Sequence, residues 1–174
     1  MYTAPTAVIW NFNDVLGGKG SDITPVIAKV MALRDSGNVV FWNDVNQFLT
    51  QMQSGEADIG IYWNERAGAA RDDSFKTLNF YYPASGGVVS PIVAQKVKNS
   101  PDLAWKFMNF VLSPEPQSCW AAAIQYPVVN TNATYNPDQK ARMPEWQSVR
   151  WPPFADILIN MPRWVETWNK EIGR

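Results

Sequence analysis

The sequence predicts an α/β fold, and three features carry the prediction. Short runs of β-branched and aromatic residues alternate with stretches of helical periodicity. Asp, Ser, Pro and Gly fall where helices start and stop. The order across the first half is β-α-β-α-β. Parallel strands with right-handed crossovers are the economical way to fold that order. A chain of 174 residues has room for one good core or for two small lobes.

In chain order, TAVIW (residues 6–10) predicts a short strand, and NFNDVLGGKGSD predicts the loop after it. Asp22 then reads as an N-cap, with Pro25 in the first turn where its missing N–H costs nothing. Ile23, Ile27, Val30 and Met31 form the apolar stripe of that helix. NVVFW (38–42) predicts the second strand. Asn43 or Asp44 caps a helix bearing Val45, Phe48, Leu49 and Met52 on one face, and Gly55 stops it. In GEADIGIYWN (55–64), Ala57, Ile59, Ile61 and Trp63 alternate with Asp58, Gly60 and Tyr62, the period-2 pattern of a half-buried strand. TLNFYYP (77–83) predicts a further strand.

The second half changes character. GGVVSPIVAQ predicts an apolar strand after the pair Gly86-Gly87, a crossover between lobes. NSPDLAWKFMNFVLS predicts a helix capped by Ser100, with Pro101 at its first position and Asp102 favouring its dipole; Leu103, Phe107, Phe110 and Val111 form its buried stripe. SPEPQSCWAAAIQY repeats the Ser-then-Pro start and ends at Tyr126-Pro127. VVNTNATYNPDQ reads as a loop. The last helix, from about Phe154, carries Ile157, Leu158, Met161, Trp164, Val165 and Trp168, with Pro162 bending it.

Composition narrows the function. Fifteen Lys and Arg against sixteen Asp and Glu give a net charge of −1 without a basic run, which argues against nucleic acid as a partner. No apolar run approaches the ~20 residues of a membrane span. MYTAPTAVIWNF lacks a basic segment followed by an apolar one and predicts no signal peptide, so a standalone chain would stay cytoplasmic. There is no His, which removes His-based triads and the commonest zinc ligand. Cys119 stands alone in SCWAAAI and reads as a buried, inert thiol. No catalytic residue, metal site or cofactor is expected. Nine Trp with Asp and Glu would suit two-carboxylate glycoside hydrolysis, but no carboxylate pair falls at two strand ends, and no enzyme is predicted.

One aromatic stands apart. Trp63 is the last residue of its strand, and the C-terminal strand ends of an α/β sheet are where ligands sit. It reads either as a ring facing a ligand or as a core ring beneath the helix that follows.

GEADIGIYWNERAGAAR, KNSPDLAWKFMNFVLSPEPQ and IQYPVVNTNA together resemble the second half of the periplasmic solute-binding proteins of ABC transporters, the spermidine/putrescine-binding group most of all. The resemblance runs from about Ala7 to the C-terminus. It implies a periplasmic-binding-protein-like (type II) lobe with a crossover segment and C-terminal helices. Residues 1–85 with 127–174 would make the second lobe, and residues 86–126 the crossover strand and helices of an incomplete first lobe. It also implies a small-molecule ligand, an ABC permease as partner and a periplasmic location. Trp63 matches the ring that stacks on the ligand, and Asn64 follows it as a hydrogen-bond partner or a helix cap. Asp14 falls near a carboxylate that grips an ammonium, or is a solvated loop residue. Asn11 falls near a second family carboxylate. Tyr126 matches the Tyr of Gly-Tyr-Pro, with Gln125 in place of the Gly. The polyamine binders carry a Trp and an Asp just after Gly-Gly, where this chain reads GGVVSPIVAQ. The expected ligand therefore widens from a polyamine to a smaller amine or a neutral polar solute. The competing expectation is an orphan half-domain acting as a homodimeric interaction module, with residues 88–125 in the shared contact.

Overall fold

The computed structural model describes residues 7–173. Its elements are α1 (Ala7–Val15), α2 (Thr24–Asp35), α3 (Val45–Ser54), α4 (Asn64–Asp73), β1 (Gly87–Val88), α5 (Leu103–Val111), α6 (Pro114–Ile124), α7 (Pro137–Ala141), a 3-10 turn (Trp146–Ser148), β2 (Val149–Arg150) and α8 (Phe154–Glu171). They fall into two compact units. The first comprises residues 1–61, 82–90 and 147–174, and the second residues 62–81 and 91–146. No helix among the described residues is long and apolar enough to cross a membrane.

In the first unit α1, α2 and α8 pack on one another around the main apolar core of the chain. Ile9 comes from α1; Val26, Ile27 and Val30 from α2; and Ile157, Trp164 and Trp168 from α8. Ile23 and Ile172 complete it at helix ends. The expected α2 and α8 stripes supply most of these side chains. Residues this size each gain ~1.5–3 kcal/mol on burial, so the unit has a strong centre. The indole Nε1 of Trp164 donates to the Ser21 carbonyl at 2.9 Å, which lets a large ring be buried without orphaning its polar atom.

The first expected strand is a helix. Thr6 lies outside the described residues, but Ala7–Val15 forms α1. The apolar run continues beyond Trp10 at helical spacing, with Ile9 and Asn13 both buried one turn apart. The stop lies in the sequence as well. Gly17 takes φ +79°, the Gly18 N–H donates to the Asn13 carbonyl and the Gly17 N–H to the Asp14 carbonyl. That is the Schellman arrangement, which needs a residue tolerant of the left-handed region. Asp22 also shifts role. It accepts from the Thr24 N–H and hydroxyl as a turn ahead of α2, whose N-cap is Ile23. Asp44 does cap α3, accepting from the Asn46 and Gln47 N–H groups, and Gly55 ends it at φ +75°.

The strands expected at 38–42, 57–63 and 77–83 form no ladder; Trp42 makes only an isolated bridge. Ile59 and Ile61 are exposed. A strand is stable only with a neighbour to pair with, and among the described residues the paired strands are β1 and β2. They run parallel with Gly87 opposite Val149 and Val88 opposite Arg150. The expected strand over GGVVSPIVAQ shrinks to those two residues of β1.

In the second unit α6 packs against α4 and α5. Its interior is thin. Ala67, Leu78 and Ala121 are its buried apolar residues among those described. The buried stripe expected on α5 is exposed: Leu103, Phe107 and Phe110 are 68%, 64% and 62% accessible, and no residue of α5 is buried. Ser100 and Ser113 do not cap by side chain. Each hydroxyl donates instead to a carbonyl three residues back, Val97 and Phe110 respectively. Asp102 is the N-cap residue of α5. Cys119 is exposed on α6, so its thiol is not a packed core group.

Candidate functional site

Asn11 and Asp14, the two expected site residues of the first unit, lie on one face of α1 and meet the same partner. Arg150 on β2 donates to Asn11 Oδ1 at 2.6 Å and through its other terminal nitrogen to the Asp14 carboxylate. Its guanidinium carbon stands 4.9 Å from the centre of the Trp10 ring. A guanidinium satisfied by an amide, a carboxylate and an aromatic face joins a helix to a strand firmly. Asp14 is therefore neither in a loop nor unpaired, as its charge is already met by Arg150.

Trp63, Asn64 and Tyr126 belong to the second unit. Trp63 is the extended N-cap residue of α4, at φ −76° and ψ 126°, so its half-buried ring marks the point where chain becomes helix. It meets Tyr62 edge to face at 5.5 Å. Asn64 is the first residue of α4 and Glu65 the second. Burial pushes the Glu65 carboxyl above its ordinary value, while bonds from its own backbone N–H and the Asn64 side chain pull the other way. A carboxylate kept partly dry at a helix start is a common component of ligand sites.

Beside it lies a cavity of about 20 Å³. Its polar lining is Asn64, Glu65, Gln125, Gln139 and Arg142; Gly68, Phe80, Pro127 and Met143 complete the wall. Arg142 donates to both oxygens of Asp72, at 2.9 and 2.8 Å, and to Gln125 Oε1 at 3.1 Å. The Arg142 hydrogen bonds hold the Asp72 carboxyl below its usual range, and Asp72 in turn raises Arg142. Gln125 also donates to Asp72, at 3.3 Å. It does so from φ +60°, a left-handed conformation uncommon for a residue with a Cβ. This position ends α6, where the resembling proteins carry Gly, and the side-chain network holds Gln125 in place there. Tyr126, half-buried, follows directly.

Glu65, Gln139, Arg142 and Asp72 were not singled out by the sequence. The one signal was Gly68, a glycine inside a helix, where Ala would ordinarily be better. A second, open depression of about 580 Å³ runs along Ala94–Lys98, Trp105 and Met108. None of its lining residues is buried, and its Lys96 ammonium is already engaged by the Ser100 carbonyl at 2.8 Å and the Trp105 ring. Among the described residues no group of three or more His, Cys, Asp or Glu is placed to hold a metal.

The fold has a counterpart among solved structures. A Bordetella parapertussis protein, assigned as an extracellular solute-binding protein, superposes with a TM-score of 0.75 at 31% identity. The overlap covers 95% of this chain and 51% of that one, so this chain spans about half the length of the relative. The architecture is thus that of a helix-rich α/β, periplasmic-binding-like lobe. The family model for bacterial extracellular solute-binding proteins matches residues 6–160, and the chain belongs to that family. No curated protein matches it.

Proposed function

We propose that the chain binds a small polar or cationic solute, a polyamine-like or simpler amine, as all or part of the substrate-binding protein of an ABC transporter. It would pick up the solute outside the cytoplasmic membrane and pass it to a permease, without chemistry. The family match over residues 6–160 carries this reading. Support for a cationic solute comes from the half-buried Glu65 carboxylate beside Trp63 and Asn64, two of the five residues the sequence singled out. Tyr126 is proposed as an edge of the same site. Asn11 and Asp14, which meet Arg150 within the first unit, are proposed separately as solute-contacting residues of that unit. Native mass spectrometry of the purified chain, with thermal-shift titration of alkyl amines, diamines, amino acids and sugars, tests it. A stoichiometric complex with one of these is expected. No binding across the set would overturn it.

A second reading is favoured by α5. Seven of the nine residues in LAWKFMNFV are apolar, and none is buried. A helix face this apolar is ordinarily covered by another surface. Purified alone, the chain has only copies of itself to cover that surface, and a homodimer through residues 88–125 is proposed on that ground.

A further inference from the structure

Gln139 is only 3% exposed, and its orientation is fixed. Its Nε2 donates to the Ala121 carbonyl at 3.0 Å, and its backbone N–H donates to Asn136 Oδ1 at 2.7 Å. Turning the amide over would set its oxygen against the Ala121 carbonyl, so Oε1 is the atom left over. Gln139 lines the cavity beside α4, and no group among the described residues donates to its Oε1. Buried acceptors without a donor are rare in native proteins, and one that lines a cavity points to an occupant that donates.

The charges around the cavity specify that occupant further. Arg142 is matched by Asp72, oxygen for nitrogen, and spends a further hydrogen bond on Gln125. Glu65 is the remaining charge on the cavity wall. The space, about 20 Å³, slightly exceeds what one water-sized group occupies. Two acceptors, one of them anionic, around a space of that size match a group with several N–H donors, a positive charge and the bulk of a water. Gly68 keeps the space open. A Cβ there would stand 3.3 Å from Gln125 Oε1 and 3.8 Å from the Arg142 guanidinium carbon.

Granting the solute-binding reading above, on which this rests, we infer that the cavity receives the primary ammonium group of the solute, held by Glu65 and Gln139 Oε1. The rest of the solute extends outward past Asn64. The site then discriminates by head group: a trimethylated ammonium is too large for it and offers no N–H.

Calorimetric titration of the whole chain with butylammonium and with butyltrimethylammonium tests this. Butylammonium is expected to bind at least tenfold more tightly than its trimethyl derivative. Gly68→Ala, which adds a methyl to the cavity wall 3.3 Å from Gln125 Oε1, is expected to raise the butylammonium Kd at least tenfold in a variant that a thermal scan shows to be folded. Glu65→Gln, which keeps the shape and removes the charge, is expected to do the same. Equal binding of the two probes, or unchanged binding by Gly68→Ala, overturns the inference. If neither probe binds but another solute of the wider set does, the cavity holds a structural water only; the inference then fails while the solute-binding reading stands. If nothing in the set binds, the solute-binding reading fails as well.

Discussion

Trp63 illustrates how far single residues could be read. Its period-2 pattern ends at that residue, and the structure places it at the start of α4, half-buried and edge-on to Tyr62. The helix start was legible because it is a local feature, whereas the strand expected to end at Trp63 forms no ladder. Gln139 was not, because its burial depends on α7 meeting Ala121, eighteen positions away. On the proposed function, Trp63→Ala should weaken solute binding at least tenfold while lowering Tm little. Truncating a fully buried ring costs ~3–5 kcal/mol, so a stability loss of that size with binding intact would show Trp63 to be a core ring. Asp72 gives a second test through pH. Its carboxyl titrates below its ordinary 3.8 because Arg142 donates to it. Below that value the unfolded chain takes up the proton first, so the contribution of Asp72 is present above pH 3.8 and is lost as pH falls through the lower folded value. Asp72→Asn should therefore give a shallower loss of stability below pH 3.8 than the wild type. Acid-unfolding curves of equal slope for the two proteins would contradict it.

Elements were legible where their ends are chemically marked on both sides. The cap Asp44 and the stop Gly55 bracket α3 as the sequence indicates. Asp44→Ala removes an acceptor for two backbone N–H groups and should cost ~1 kcal/mol, read as a lower urea midpoint with unchanged slope. An unchanged midpoint would mean that solvent satisfies those groups equally well. Misreading came where one signal outweighed another. TAVIW is rich enough in β-branched and aromatic residues for a strand, yet Gly17-Gly18 closes a helix by a Schellman turn, and the helical spacing of Ile9 and Asn13 decides the matter. The strands at 38–42, 57–63 and 77–83 failed differently. Their composition suits strands, but pairing is a property of neighbours, and the only ladder among the described residues joins β1 to β2.

At the scale of the whole molecule the two units differ in what they bury. The first closes around Trp164, Trp168 and the α2 stripe. The second has three buried apolar residues among those described, while α5 shows Leu103, Phe107 and Phe110 to solvent. Those three follow one another at i, i+4 and i+7, a single continuous face, and soluble monomers rarely leave such a face open. The chain spans about half the length of its solved relative. In a solution of this chain alone, the same face on a second copy is the complementary surface at hand, and a two-fold pairing lets each copy cover the other. Light scattering across micromolar concentrations should give a mass rising toward twice 19.6 kDa. Phe107→Lys with Phe110→Lys should hold the mass at that of one chain, and because both rings are already exposed, the variant should unfold at nearly the wild-type temperature in dilute solution. A wild-type mass constant at 19.6 kDa throughout would remove the homodimer. If the double variant instead loses its fold along with its ability to associate, those rings support their own unit and are not a contact surface.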